Sequence, residues 1–143
     1  MAAASAADLF GRLHPDGTIV FSEDAAGDAM YIIQEGTVEI SAVVNGVRTV
    51  LCTLGKGDYF GEMALLDSKP RLATATVRGS ARLMVLSRDK LLERIEDDPH
   101  IVISLLKLMC TRIRSLQETI EALKSKGQLD VEQLSAAVRA VQT

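Results

Sequence analysis

The chain has 143 residues, enough for one domain with a hydrophobic core of ordinary size and too few for a second enzyme domain. Aromatic residues make up only 3% of it and Trp is absent, so nothing suggests a base-stacking platform for single-stranded nucleic acid. The formal net charge of −3 also argues against nucleic acid as a partner, because nucleic-acid-binding proteins present concentrated positive charge.

The Ala-rich start of the chain predicts a flexible tail over residues 1–8. This start has neither a basic end nor an apolar centre, so it does not resemble a secretory signal. The longest apolar run begins at Ile101 and is interrupted at Lys107, well short of a membrane span. Because Cys52 and Cys110 are the only cysteines, a disulfide framework is not indicated. These features favour a cytoplasmic protein without a membrane partner.

A β pattern extends from Gly17 to Leu86, where short apolar or alternating runs are separated by turn residues. Asn45 and Gly46 stand between two of these runs and are typical of a two-residue hairpin turn. Short strands closed by glycine turns favour a sandwich or a roll. The predicted strands are residues 18–21, 29–34, 37–44, 47–54, 74–77 and 82–87.

The segment over residues 60–74, called the cassette below, interrupts the β pattern with residues suited to a small phosphate. Gly61 follows a turn-rich stretch and opens a short apolar run, which predicts a helical turn whose free N–H groups attract an anion. Arg71 follows Pro70, and its planar guanidinium suits two oxygens of one phosphate. Ala73 is small enough to let a ligand approach.

Glu62 is the exception within the cassette, because a carboxylate beside a bound phosphate is repelled by it. An ionised carboxylate only accepts hydrogen bonds, so it needs a strong donor. A 3′,5′-cyclic phosphate leaves the ribose 2′-hydroxyl free to supply that donor. The residue types therefore fit a cyclic ribonucleotide better than a free phosphate.

The cassette resembles the phosphate-binding segment of the cyclic nucleotide-binding domains. This family is shared by catabolite-activator-like regulators, protein kinase A regulatory subunits and cyclic nucleotide-gated channels. The resemblance covers about residues 9–125. It implies a mostly β fold with flanking helices: an antiparallel, jelly-roll-like β-roll with a cassette helix and C-terminal helices. The matching residues are Phe60-Gly61-Glu62-Met63-Ala64-Leu65, Pro70-Arg71 and Ala73-Thr74, and upstream Phe21-Ser22-Glu23, Gly27-Asp28, Met30-Tyr31-Ile32-Ile33 and Gly36 with Val38.

The resemblance also implies roles for individual residues. Arg71 neutralises the cyclic phosphate, and Glu62 holds the 2′-hydroxyl. Leu72 stands where family members carry a small, often hydroxylated residue; those that favour cGMP have a threonine there, so Leu72 predicts a preference for cAMP. Asp24 replaces a common turn glycine, a conformation that Asp tolerates. The candidate ligand-binding residues are Gly61, Glu62, Met63, Ala64, Leu65, Arg71, Leu72 and Ala73.

Two helices are predicted after the β region. Ser87 can cap a short helix over residues 88–95, and Pro99 suits the first turn of a long helix. The long helix is expected to end near Lys126, because Gly127 is a plausible stop.

A last short helix is predicted over residues 127–143, where Asp130 with Gln133 is typical of a capping box. The predicted organisation is thus a tail over residues 1–8, a cyclic nucleotide-binding domain over residues 9–126 that includes the long helix, and the short C-terminal helix.

The long helix carries a heptad pattern, in which apolar residues recur at alternating steps of four and three. This seam favours a parallel homodimer, or a complex with an effector, through residues 99–126. An ordinary amphipathic helix packed on its own β domain fits the same spacing. The seam residues are Val102, Leu106, Met109, Ile113, Leu116, Ile120 and Leu123.

Other residues of the long helix are assigned to a lid over the ligand or to the flanks of the seam. Ile113, Leu116 and Gln117 are candidates for a lid over the base of the nucleotide. Arg112 and Arg114 are interpreted as charges that flank the seam.

Together with these patterns, the resemblance implies a non-enzymatic sensor whose ligand, cAMP, is coupled to movement of the long helix, with no metal ion. Glu62 and Asp67 could form a carboxylate pair for hydrolysis, but that chemistry needs a metal cluster or a base aimed at water, and neither pattern occurs. A transcription regulator would need a helix-turn-helix domain, and the residues after Lys126 are too few for one unless the chain is a fragment. A ligand-free scaffold or dimerisation module of the same fold stays open as the alternative.

Overall fold

The structure is a computed structural model that describes residues 11–125 together with Gly127, Ala136 and Arg139. The predicted tail at residues 1–8, and the capping box and most of the helix predicted at 127–143, lie outside the described residues. Residues 11–125 form six strands and three helices. In chain order these are β1 (Arg12–Pro15), β2 (Ile19–Phe21), β3 (Ala29–Val44), β4 (Val47–Leu54), β5 (Tyr59–Phe60), α1 (Glu62–Asp67), β6 (Thr74–Ser87), α2 (Arg88–Asp97) and α3 (His100–Ser125).

The strands form one antiparallel sheet in the order β1-β6-β3-β4, with β2 paired to β6 and β5 paired to β3. The long strands β3 and β6 are its centre and pair from Ala29 with Ser87 to Ser41 with Thr74. The sequence pattern does not indicate β1 or β5, because four and two residues are too few for a clear alternation. The predicted mostly β fold with flanking helices is confirmed.

Two glycines keep the central strands continuous where the sequence pattern predicts a break in each. Gly36 and Gly79 have φ angles of 92° and 77°, which favour glycine, and the register of β3 against β6 shifts between Gly36 and Thr37. Such a bulge bends a strand without ending its pairing. The predicted separation of residues 29–34 from 37–44, and of 74–77 from 82–87, is therefore wrong.

Two tight turns agree with the sequence. Asn45 and Gly46 have φ angles of 53° and 77°, the pattern of a type I′ turn, between the paired residues Val44 and Val47. Asp24 has a φ of 66°, so this residue does adopt the conformation in which glycine is common.

The core has two parts that meet at the cassette. Inward-facing side chains of the central strands form the larger cluster, to which Phe60 and Ala73 at the two ends of the cassette also belong. The smaller cluster joins Leu65 of α1 to Leu91 of α2, with Ile101 and Leu105 of α3 packed against it. The helices are thereby attached to the cassette helix as well as to the sheet. The larger cluster consists of Ile33, Val38, Ile40, Phe60, Ala73, Ala75, Val77, Ala81 and Leu83.

The ends of the helices match the sequence signals. Ser87 caps α2, because its hydroxyl accepts from the Lys90 N–H at 3.3 Å. Gly127 follows α3 with a φ of 66° and donates to the Lys124 carbonyl oxygen at 3.1 Å. No residue of α3 is fully buried. None of the helices in the described part of the chain is long and apolar enough to cross a membrane.

Replacing Gly36 by Ala should destabilise the fold by about 2 kcal/mol or more, since a Cβ there would collide with the Ser80 main chain at a positive φ. Gly55→Ala is the matched control, because a Cβ at Gly55 meets no atom within 4 Å. Urea unfolding of both variants measures the difference. Equal stability of the two would show that the bend at Gly36 does not need glycine.

Candidate functional site

The cassette folds around the short helix that follows β5. Gly61 adopts a left-handed conformation (φ 79°, ψ 7°) that turns the chain into α1. A pocket of about 220 Å³ lies against this turn and the segment that returns toward β6. It is lined by five of the predicted residues, Gly61, Met63, Ala64, Arg71 and Leu72, and also by Phe21, Asp67, Lys69 and Pro70.

Arg71 is buried at the wall of this pocket and is held by three groups. Its Nη1 donates to the carbonyl oxygen of Gly61 and its Nη2 to that of Ala29, both at 2.7 Å. The guanidinium carbon lies 4.2 Å from the centre of the Phe21 ring, a cation–π contact. The Nε atom is also buried but finds no acceptor among the described residues. Arg71 is therefore a fixed cation at the pocket wall, and one of its three nitrogens, Nε, has no acceptor among the described residues.

The surroundings of Arg71 disfavour its positive charge, because the side chain is removed from water. Burial lowers the pKa of Arg71, while Tyr31 and Asp28 act in the opposite direction. A guanidinium nevertheless remains protonated in proteins. A buried cation is stabilised by an anion that accepts from its remaining N–H groups, so the pocket wall suits an anionic ligand such as a phosphate.

Residues outside the cassette position Arg71. A Cβ atom on Gly27 would collide with the guanidinium, so glycine leaves the room that Arg71 occupies. The adjacent loop holds the Arg71 main chain: its N–H donates to the Ala25 carbonyl oxygen at 2.9 Å, and its carbonyl oxygen accepts from Asp24 N–H at 2.8 Å. The sequence pattern includes Gly27 in the upstream match, but this close approach arises only in the folded chain.

Glu62 does not line the pocket and instead pairs with a residue of α3. Its side chain is 1% exposed, and both carboxylate oxygens are buried. Oε1 forms an ion pair with Nη1 of Arg112, whose Nη2 donates to the Tyr59 carbonyl oxygen at 2.9 Å. A buried carboxylate needs such a counter-charge, because a lone desolvated charge is costly. The interpretation of Arg112 as a charge flanking the seam is therefore wrong.

Leu65 and Ala73 lie behind the pocket wall, in the two core clusters. Leu65 also connects the cassette to α2, because its carbonyl oxygen accepts from Nη2 of Arg88 at 2.7 Å. A cation at the C-terminal end of α1 suits the helix dipole. Arg112 of α3 thus holds Tyr59 and Glu62 at the start of α1, and Arg88 of α2 holds Leu65 near its end.

Comparison with known proteins agrees with this geometry. Residues 12–98 match the model of the family described as the cyclic nucleotide-binding domain. The chain belongs to this family.

Two curated relatives of this chain are a transcriptional regulator and a protein kinase regulatory subunit. The chain is 37% identical over 101 residues to the CRP-like cAMP-activated global transcriptional regulator of Mycobacterium tuberculosis. The aligned region covers 70% of this chain and 45% of that protein. The chain is 42% identical over 81 residues to the cAMP-dependent protein kinase regulatory subunit of Yarrowia lipolytica, covering 57% of this chain and 21% of that protein. The chain thus spans less than half the length of either relative.

The solved structure of the Thermus thermophilus catabolite activator protein resembles the fold, with a TM-score of 0.74 and 32% identity. The similar region covers 80% of this chain and 55% of that one. The likeness confirms the predicted β-roll.

The predicted lid residues are not part of the pocket wall in this cyclic nucleotide-binding domain. Ile113 is 57% exposed and Leu116 is half-buried, and neither lines the pocket. Their role above a bound base stays a prediction. Within the described ranges, no three His, Cys, Asp or Glu side chains are grouped so that they could hold a metal ion.

Proposed function

We propose that this domain is a non-enzymatic, cytoplasmic sensor that binds cAMP in the cassette pocket. The observation that carries the proposal is the buried cation of Arg71, whose Nε has no acceptor among the described residues. A cyclic phosphate would accept from this donor, and main-chain groups of Gly61, Ala64, Leu65 and Ala73 would complete its shell. Relatives whose names include cAMP support this nucleotide in particular.

We propose that α3 carries the output of the sensor by binding a second copy of the chain or an effector. Ile101 and Leu105 pack against the smaller core cluster. On another stripe of the helix, Val102, Leu106 and Ile113 are 37%, 55% and 57% exposed. These exposed apolar residues at heptad spacing support an interface, while the other four seam residues, Met109, Leu116, Ile120 and Leu123, are half-buried.

Arg71→Ala should weaken cAMP binding at least about tenfold, because a buried phosphate loses a charge-assisted partner. Gly27→Ala keeps the arginine but fills the space of its guanidinium, so it should weaken binding as well. Calorimetric titration of each variant measures the loss.

The matched control for lost charge is Arg12→Ala, on the exposed side of β1, which should bind cAMP as the unaltered protein does. If Arg71→Ala and the unaltered protein have equal affinity, Arg71 is not the phosphate ligand.

The domain should prefer cAMP to cGMP, because Leu72 offers only methyl groups at the pocket wall. The amino group of guanine would be buried without an acceptor, which costs about 1–3 kcal/mol. Leu72→Thr should narrow the preference by supplying a hydroxyl. Competition between the two nucleotides measures the ratio of affinities. Tighter binding of cGMP by the unaltered protein would mean that Leu72 does not select the base.

Ile113→Lys should convert a dimer to a monomer, since it would bury an unpaired ammonium in the seam. Ser115→Lys adds the same charge at an exposed position outside the seam and should leave the mass unchanged. Light scattering gives the mass, and circular dichroism checks the β fold. An unaltered protein that is monomeric at high micromolar concentration would remove the homodimer and leave only an effector as the partner.

A further inference from the structure

A second cavity, called the β1 cavity below, lies where β1 and β2 both pair with β6. β1 pairs with residues 80–83 of β6, and β2 pairs with residues 75 and 76. The cavity has a volume of about 570 Å³, within the range of about 300–1,000 Å³ that is common for small-molecule sites. Its lining includes Arg12, His14, Ile19, Tyr31, Val85 and Lys90.

The β1 cavity and the cassette pocket share no lining residue. Two neighbouring aromatic rings lie at their boundary, because Phe21 lines the cassette pocket, Tyr31 lines the β1 cavity, and the ring centres are 5.8 Å apart. Tyr31 also stacks on the buried ring of Phe60, with ring centres 5.2 Å apart, which fixes its position. The β1 cavity is therefore a site of its own and not an extension of the cassette pocket.

The wall of the β1 cavity contains apolar side chains that the core leaves uncovered. Ile19 of β2 is 60% exposed and Val85 of β6 is 48% exposed. Val85 is directly opposite Tyr31 in the pairing of β3 with β6, and opposed residues of an antiparallel pair share a face. Leu83, two residues before Val85, lies on the same face and belongs to the larger core cluster. A ligand with an apolar body would therefore extend the core over Ile19 and Val85 and remove them from water.

The charged residues of the β1 cavity favour an anion. Arg12, His14 and Lys90 line the cavity, and none of its lining residues is acidic. The chain as a whole has a net charge of −3, so the basic lining does not follow from the overall charge. Arg12 is exposed and lies at the mouth of the cavity. A guanidinium presents parallel N–H donors that match the two oxygens of a carboxylate.

We propose that the β1 cavity binds a small amphipathic carboxylate, whose head group pairs with Arg12 and whose apolar chain lies along Ile19 and Val85. An apolar wall with a few convergent polar groups is the usual composition of a small-molecule site. This inference goes beyond the proposed function, because it needs no nucleotide and uses no residue of the cassette.

The first test needs no variant and uses decanoate as the probe. Calorimetric titration below the concentration at which decanoate aggregates should show saturable binding with one site per chain. Octanoate and then hexanoate should bind at least about fourfold more weakly at each step, because fewer methylenes are buried. Decanol keeps the chain without the charge and should bind at least about tenfold more weakly than decanoate. A lack of saturable decanoate binding, or equal affinity for decanol, overturns the proposal.

The second test uses two matched substitutions on neighbouring edge strands. Ile19→Glu places a like charge in the cavity wall and should weaken decanoate binding at least about tenfold. Leu13→Glu is the control, because Leu13 is an apolar residue of β1 with nearly the same exposure, 59%, and does not line the cavity. It should bind decanoate as the unaltered protein does, and circular dichroism checks the fold of both. An equal loss of binding in the two variants contradicts the proposal.

A second pair of variants keeps the proposal testable if Ile19→Glu does not fold. Arg12→Gln removes the cation at the mouth of the cavity and should weaken decanoate binding about fivefold or more. Arg114→Gln removes an exposed cation from α3 and should leave the affinity unchanged. Unchanged decanoate affinity in Arg12→Gln shows that Arg12 does not bind the head group, and the proposal is then wrong.

Nucleotide titrations separate this inference from the proposed function. Ile19→Glu should bind cAMP as the unaltered protein does, and Arg71→Ala should bind decanoate as the unaltered protein does. If the protein binds decanoate and no cyclic nucleotide, the sensor assignment fails and the β1 cavity remains a ligand site. If cAMP displaces decanoate competitively, the β1 cavity is part of the nucleotide site, and the proposal of a separate site is overturned.

Discussion

The burial of one guanidinium imposes most of the geometry of the cassette. Arg71 lies within the domain with its two terminal nitrogens bonded to main-chain oxygens of Gly61 and Ala29. Those oxygens belong to the turn before α1 and to the start of β3, so the side chain fixes the turn relative to the sheet. Gly27 has no side chain and so leaves space for the guanidinium, and the ring of Phe21 lies against it in a cation–π contact. The pocket is lined by Phe21, Gly61 and Arg71 of this group of residues.

The second buried charge links that pocket to the C-terminal helices. Glu62 begins α1, and its counter-charge in the described structure comes from Arg112 of α3. Arg88 of α2 holds the opposite end of α1. Arginines from both helices are thus bonded to a segment of a few residues. Apolar packing of Leu65, Leu91 and Leu105 reinforces the connection. The cassette helix α1 is therefore in direct contact with both α2 and α3.

Local chemistry was predictable from the sequence, and long-range pairing was not. The hairpin at Asn45-Gly46, the Ser87 cap and the stop at Gly127 each depend on neighbouring residues, and each is present. The cassette was recognisable because its residues lie within one short segment. The breaks expected near Gly36 and Gly79 are bulges, since a glycine in a strand pattern is equally compatible with a turn and with a bend.

Partners contributed by distant segments left no such signal. In the sequence of α3, Arg112 and Arg114 look alike, although Arg112 is half-buried and paired with Glu62 and Arg114 is exposed. Likewise, the contact of Phe21 with Arg71 depends on how β2 meets the cassette. A buried carboxylate in an otherwise phosphate-binding segment is itself a signal that a cation must come from elsewhere, but it does not say from which residue.

The central claim is that the cassette pocket takes a cyclic nucleotide, and calorimetric titration of the unaltered chain with cAMP tests it most directly. We expect saturable binding with one site per chain, and no comparable binding of AMP, whose phosphate is not closed onto the ribose. The absence of saturable heat, together with an unchanged melting temperature in excess cAMP, would contradict the claim and leave a ligand-free scaffold of the same fold.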